Sequence, residues 1–125
     1  MNGSFYLYPA PGKVFAVQSI RSKLLSYSGV VEVPGSENEF AIAVGDQETI
    51  IRERVMKGQP PEWTVLVNVQ PDSIYVWRQA SRETLDYFAT ILKYLLTQGV
   101  DKIRDEEGKD VPLTSPEALL GRLLS

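Results

Sequence analysis

Two β-rich runs, 64–70 and 73–78, flank Pro71-Asp72, and this pairing constrains the fold more than any other stretch of the chain. Proline at the second turn position and aspartate at the third fit a type I turn. With Gln70 opposite Ser73, one side of the hairpin carries Val69 against Ile74, Val67 against Val76 and Val65 against Arg78. The other side carries Asn68 against Tyr75 and Leu66 against Trp77. One face is nearly all aliphatic and belongs in a core, while the other mixes aromatic and polar residues. A one-residue slip would exchange the two sets, so everything argued from them depends on this register.

A helix follows over 82–98. Ser81 is an N-cap residue, Glu83 suits the positive end of the helix dipole, and Gly99 stands where a helix stops. Leu85, Phe88, Ala89, Leu92, Leu95 and Leu96 recur at helical spacing. That stripe is expected to cover the aliphatic face of a sheet, leaving the Tyr75/Trp77 face partly exposed. Upstream, Val30 to Val33 and Phe40 to Val44 read as strands joined by a polar Pro-Gly loop. Asp46 to Lys57 reads as a short helix, with 59–62 a stiff connector. Ser4 to Tyr8 reads as a strand. Val14, Val17, Ile20, Leu24 and Tyr27 suit a helix ending before Gly29, although 13–18 also fits a strand. Ile103 to Val111 suggests a small acidic hairpin or loop. A last short helix starts at Ser115-Pro116 and docks through Leu119, Leu120, Leu123 and Leu124.

In order this is β-α-β-β-α-β-β-α, then the acidic hairpin and the terminal helix. The expected fold is α+β: a two-layer sandwich, its mainly antiparallel sheet of about five strands carrying helices on one face. No repeat or long linker divides the chain, so residues 1–125 form one expected domain, and 125 residues with 43% hydrophobic content are enough for its core.

Chemistry is narrowed by what is missing. The chain has no histidine and no cysteine. Imidazole and thiolate supply most zinc, copper and iron ligands and the bases and nucleophiles of the common triads and dyads. Histidine is also the only side chain whose unperturbed pKa lies between pH 5 and 8. No phosphate loop, dinucleotide fingerprint, Gly-x-Ser-x-Gly elbow or Ser-x-x-Lys motif occurs, and every glycine is isolated. The acidic run from Asp101 fails the calcium-loop pattern, having Ile103 at its third position and Glu106 at its sixth. Asp46 after Gly45 is better placed to cap a helix than to admit an anion. Among enzyme chemistries only paired carboxylates remain open, and sequence does not show which of 16 acids converge. The expectation is therefore no cofactor, no metal and no catalytic residue.

Net charge of −3 gives no reason to expect nucleic acid as a partner. No apolar run is long enough to cross a membrane, and the N-terminus lacks the pattern of a signal peptide. A cysteine-free chain of this kind is expected in the cytoplasm. Charge is uneven: Lys13, Arg21 and Lys23 stand among residues 1–31 without an acid, whereas 105–117 hold Asp105, Glu106, Glu107, Asp110 and Glu117 against Lys109 alone.

The residues that stand out as a contact surface are Trp63, Leu66, Tyr75, Trp77 and Arg78. Tryptophan, tyrosine and arginine are enriched in binding hot spots, where large area is buried behind a polar handle. The leading expectation is a cofactor-free protein-binding module acting through the outer face of the 64–78 hairpin, with an inhibitor or toxin-neutralising (immunity-type) role suited to its size and acidity. The partner would be another protein or a second copy. The alternatives are a small enzyme or ligand-binding domain using carboxylate, Tyr or Arg chemistry, and a structural subunit of a larger assembly.

Overall fold

The computed structural model describes residues 4–43, 53, 64–77, 82–112 and 116–122. Along the chain run β1 (Phe5–Pro9), α1 (Val17–Ser26), β2 (Val30–Glu32), β3 (Glu39–Ile42), β4 (Val65–Val69), β5 (Ile74–Trp77), α2 (Arg82–Leu96), β6 (Val100–Asp105), β7 (Asp110–Val111) and α3 (Pro116–Gly121). The strands make one antiparallel sheet in the order β2-β3-β4-β5-β1-β6-β7. Most of the helix expected over 46–57, the connector 59–62, the cap Ser81, and Leu123 and Leu124 lie outside the described residues.

The central hairpin has the register its side-chain pattern requires. Leu66 lies opposite Trp77, Val67 opposite Val76, Asn68 opposite Tyr75 and Val69 opposite Ile74. The Gln70 N–H closes the turn on the Ser73 carbonyl at 2.9 Å. Val65, Val67, Val69, Ile74 and Val76 are buried in one cluster with Phe5, Leu7, Phe40 and Ile42 of neighbouring strands. Ile20 and Leu24 of α1, Leu85, Phe88, Ile91, Leu92 and Leu95 of α2, and Leu119 and Leu120 of α3 belong to it, as do Phe15, Val30 and Ile103. Each fully buried side chain of this kind contributes roughly 1.5–3 kcal/mol, so the helices are held by this face rather than by helix propensity.

Seven strands replace the expected five or so. The difference lies in 100–111, which extends the sheet instead of standing apart. β6 runs alongside β1 from Phe5 opposite Asp105 to Pro9 opposite Val100, and β7 adds Ile103 opposite Val111 and Arg104 opposite Asp110. Val-Asp-Lys at 100–102 has no apolar alternation, so this pairing leaves little trace in the pattern. The two-layer description also needs correction, because the opposite face of the sheet is not bare. Alternation along the strands puts Val33, Ala41, Ala43 and Leu66 there, and they form a second buried cluster.

The N-terminal helix begins later than its spacing suggests. Residues 13–16 are neither helix nor strand. The Phe15 N–H donates to the Pro71 carbonyl at 2.8 Å, and the Lys13 N–H donates to the Ala10 carbonyl at 2.9 Å. That tertiary bond takes the backbone away from a helical ladder. Phe15 is therefore the core residue at 3% exposure, while Val14 stands 72% exposed. Two contacts fasten α1: an ion pair from Arg21 to Glu32 at the sheet edge, and the Lys23 ammonium over the rings of Tyr27 and Tyr94.

Candidate functional site

The face turned away from the helices is assembled by cross-strand register. Residues directly opposite in an antiparallel pair share a face. One row therefore runs Glu39, Asn68, Tyr75, Tyr6, Arg104 and Asp110, from β3 to β7. All six are at least partly exposed. The next row runs Val31, Ala41, Leu66 and Trp77. On the other side of the first row, Tyr8 stands opposite Lys102.

An aromatic ladder crosses the middle of this face. Tyr6 and Tyr75 are stacked with ring centroids 4.3 Å apart and planes 16° from parallel. Tyr8 continues the ladder along β1 at 6.0 Å, and Trp77 continues it along β5 at 5.8 Å. The Arg104 guanidinium lies 5.8 Å from the Tyr8 ring centre, within the range of a cation–π contact. Its Nε donates to Asp110 Oδ1 at 3.1 Å. The Tyr75 hydroxyl donates to Glu106 Oε1 at 3.1 Å. Burial pushes the Tyr75 phenol above its ordinary 10.0; Ser4 pulls the other way and Glu106 adds to the rise.

Glu106 is brought there by a tight hairpin end. The Asp105 carboxylate accepts from the Glu107 and Lys109 N–H groups, both at 2.9 Å. The Gly108 N–H donates to the Asp105 carbonyl at 3.0 Å, and the Asp105 N–H to the Lys109 carbonyl at 2.9 Å. The acids of this run thus do different jobs: Asp105 builds the turn, Glu106 holds Tyr75 and Asp110 holds Arg104.

Of the residues singled out from sequence, Tyr75 and Trp77 stand together on this face, half-buried. Leu66 lies in the same layer but is only 1% exposed, packed with Val33, Ala41 and Ala43; it supports the surface from within. Trp63 and Arg78 lie outside the described residues. Tyr6, Tyr8, Lys102 and Arg104 were not anticipated. The alternation Phe5-Tyr6-Leu7-Tyr8 carried the signal, since a strand burying Phe5 and Leu7 must put both tyrosines on one opposite face.

Small clefts occur among the described residues. One of about 130 Å³ lies between α2 and α3, lined by Arg82, Asp86 and Glu117 among others. Another, about 210 Å³, is lined by Tyr8, Pro9, Pro11, Asp101, Lys102 and Arg104. Small-molecule sites usually occupy roughly 300–1,000 Å³. Among the described residues no group of three or more Asp or Glu gathers to hold a metal ion, and no helix is long and apolar enough to cross a membrane. No protein-family model matches the chain, and neither a curated protein nor a solved structure does.

Proposed function

We propose that this chain is a cytoplasmic protein-binding module that works without a cofactor, through the aromatic face of its sheet. The observation that carries this reading is the ladder Tyr8–Tyr6–Tyr75–Trp77, half-buried and rimmed by Arg104, Lys102 and Glu106. Tyrosine, tryptophan and arginine grouped at the centre of a patch are the usual composition of a binding hot spot. The geometry also favours a protein over a base or a sugar. Tyr6 and Tyr75 are stacked on each other, so those ring faces are already occupied. An incoming partner meets ring edges and hydroxyls, which suit the mixed apolar and hydrogen-bonding surface of a protein. The small size and net charge of −3 suit an inhibitor or a toxin-neutralising (immunity-type) role; this part of the reading is an analogy of scale and charge.

The test is capture from the native cell with the wild type and a Tyr75→Ala/Trp77→Ala variant, folding of the variant being checked by circular dichroism. Hot-spot truncations cost about 2 kcal/mol or more each, roughly 30-fold in affinity. A specifically captured protein should therefore be lost from the folded variant. Retention of every wild-type partner by that variant would overturn the reading.

A further inference from the structure

We infer that Trp77, Tyr75 and Glu106 form a relay for one oxidising equivalent. A radical made on the Trp77 indole by a small one-electron oxidant moves to the Tyr75 phenol, and Glu106 takes the proton released. The inference goes beyond the protein-contact reading and does not depend on it. Ring geometry is the first observation behind it. Trp77 and Tyr75 are stacked with centroids 5.8 Å apart and planes only 7° from parallel. Both rings are half-buried, so a small oxidant reaches them. An electron crosses between π faces at that separation without passing through another side chain.

The second observation is the proton's destination. A phenol that loses an electron becomes a strong acid, so its proton must leave as the electron does. The Tyr75 hydroxyl already donates to Glu106 Oε1 at 3.1 Å, within the reach of a general base. A phenol with a base in place gives up an electron more readily than an indole, which sets the direction of transfer. Stacking of Tyr6 on Tyr75 at 4.3 Å adds a second π face beside the charge as it develops. The third observation is the absence of cysteine. A thiol is the other common resting place for a radical in a protein, and without one the tyrosines keep it. The step balances. The oxidant takes one electron from the indole and leaves reduced. Tyr75 then gives one electron to the indole radical and one proton to Glu106. Trp77 is restored, any proton it shed returning from water, and a neutral phenoxyl radical remains on Tyr75.

Pulse radiolysis in azide solution tests this. The azidyl radical attacks indole in preference to phenol and becomes azide. A Trp63→Phe background leaves Trp77 as the sole tryptophan. Indole-radical absorption should decay as phenoxyl-radical absorption rises, at one rate independent of protein concentration and slower in deuterated water. Tyr75→Phe keeps the stacked ring and removes the phenol. The next acceptor is then Tyr6, diagonal to Trp77 across the strand pair at about 7–8 Å, and transfer should slow several-fold. Glu106→Gln should slow it as well. Tyr27→Phe and Tyr94→Phe, at rings packed on the helix side, should leave the rate unchanged. A rate proportional to protein concentration, a Tyr75→Phe rate equal to that of the background, or slowing by Tyr27→Phe or Tyr94→Phe would each overturn the relay. Equal rates for Glu106→Gln and the background would overturn the proton step. Neither result bears on capture of a protein partner, so the two readings fail separately.

Discussion

Replacing Gly29 by alanine probes the tightest approach met at any glycine among the described residues. Gly29 has φ of +79°, and a Cβ built on it would sit 2.1 Å from the Ala43 carbonyl oxygen and 3.7 Å from the Tyr87 ring. The Ala43 N–H also donates to the Gly29 carbonyl at 3.0 Å, so the two backbones cannot separate without losing that bond. Three costs combine. An L-residue in the left-handed region costs roughly 1–2 kcal/mol. The broken hydrogen bond costs about 1 kcal/mol. Forcing a buried neighbour aside costs about 1–3 kcal/mol. The total, about 3–6 kcal/mol, is a large share of the roughly 6–19 kcal/mol expected for a chain of this length. Thermal unfolding should fall by about 10–20 °C. Gly35→Ala is the control: φ is +80° there, but nothing lies within 4 Å of the added Cβ, so only the conformational cost of about 1–2 kcal/mol applies. Urea unfolding of both variants separates clash from conformation. A Gly29→Ala no less stable than Gly35→Ala would refute the close-approach argument.

Phe88→Ala removes a fully buried ring from α2 and should cost about 3–5 kcal/mol in urea unfolding. Asp105→Ala removes the carboxylate that accepts from the Glu107 and Lys109 N–H groups; a loss of about 1–2 kcal/mol is expected, with faster amide exchange at Lys109 as the local readout. Raised phenol values at Tyr75 and Tyr94 mean that the fold favours their neutral forms, chiefly through burial. Their contribution to stability is complete below the ordinary 10.0 and is lost as pH rises through the higher folded values. Stability should therefore fall above pH 10, and Tyr75→Phe should lessen that fall; a Tyr75→Phe stability profile parallel to the wild type above pH 10 would contradict this.

How much of this was legible in the sequence depended on periodicity. The β4–β5 register was readable because Val67, Val69, Ile74 and Val76 alternate with Asn68, Tyr75 and Trp77, and with Pro71-Asp72 as a two-residue turn only one pairing separates the two classes. The α2 stripe was readable for the same reason, although Ile91 is buried as well and Ala89 and Leu96 pack at the margin. Val14 misled, because its spacing to Val17 is helical while a hydrogen bond from Phe15 to Pro71 decides the backbone there. The candidate site was only half legible. Tyr75 and Trp77 come from one local hairpin, but Tyr6 and Arg104 reach the same row through pairings of β1 with β5 and β6 across 60 or more residues of chain. Nothing local specifies such partners. Leu66 was legible as a residue of that layer but not as a buried one, since it clusters there with Val33, Ala41 and Ala43 of other segments of the chain.

The account stands on the aromatic face being the surface that a protein partner covers. Hydroxyl-radical footprinting of the isolated complex against the free chain measures this side chain by side chain. Oxidation of Tyr6, Tyr8, Tyr75 and Trp77 should slow several-fold in the complex, while Tyr27 and Tyr94, on the helix side, keep their free rates. Unchanged oxidation across the ladder, with protection at Tyr27 and Tyr94 instead, would place the partner on the other side of the molecule and contradict the account.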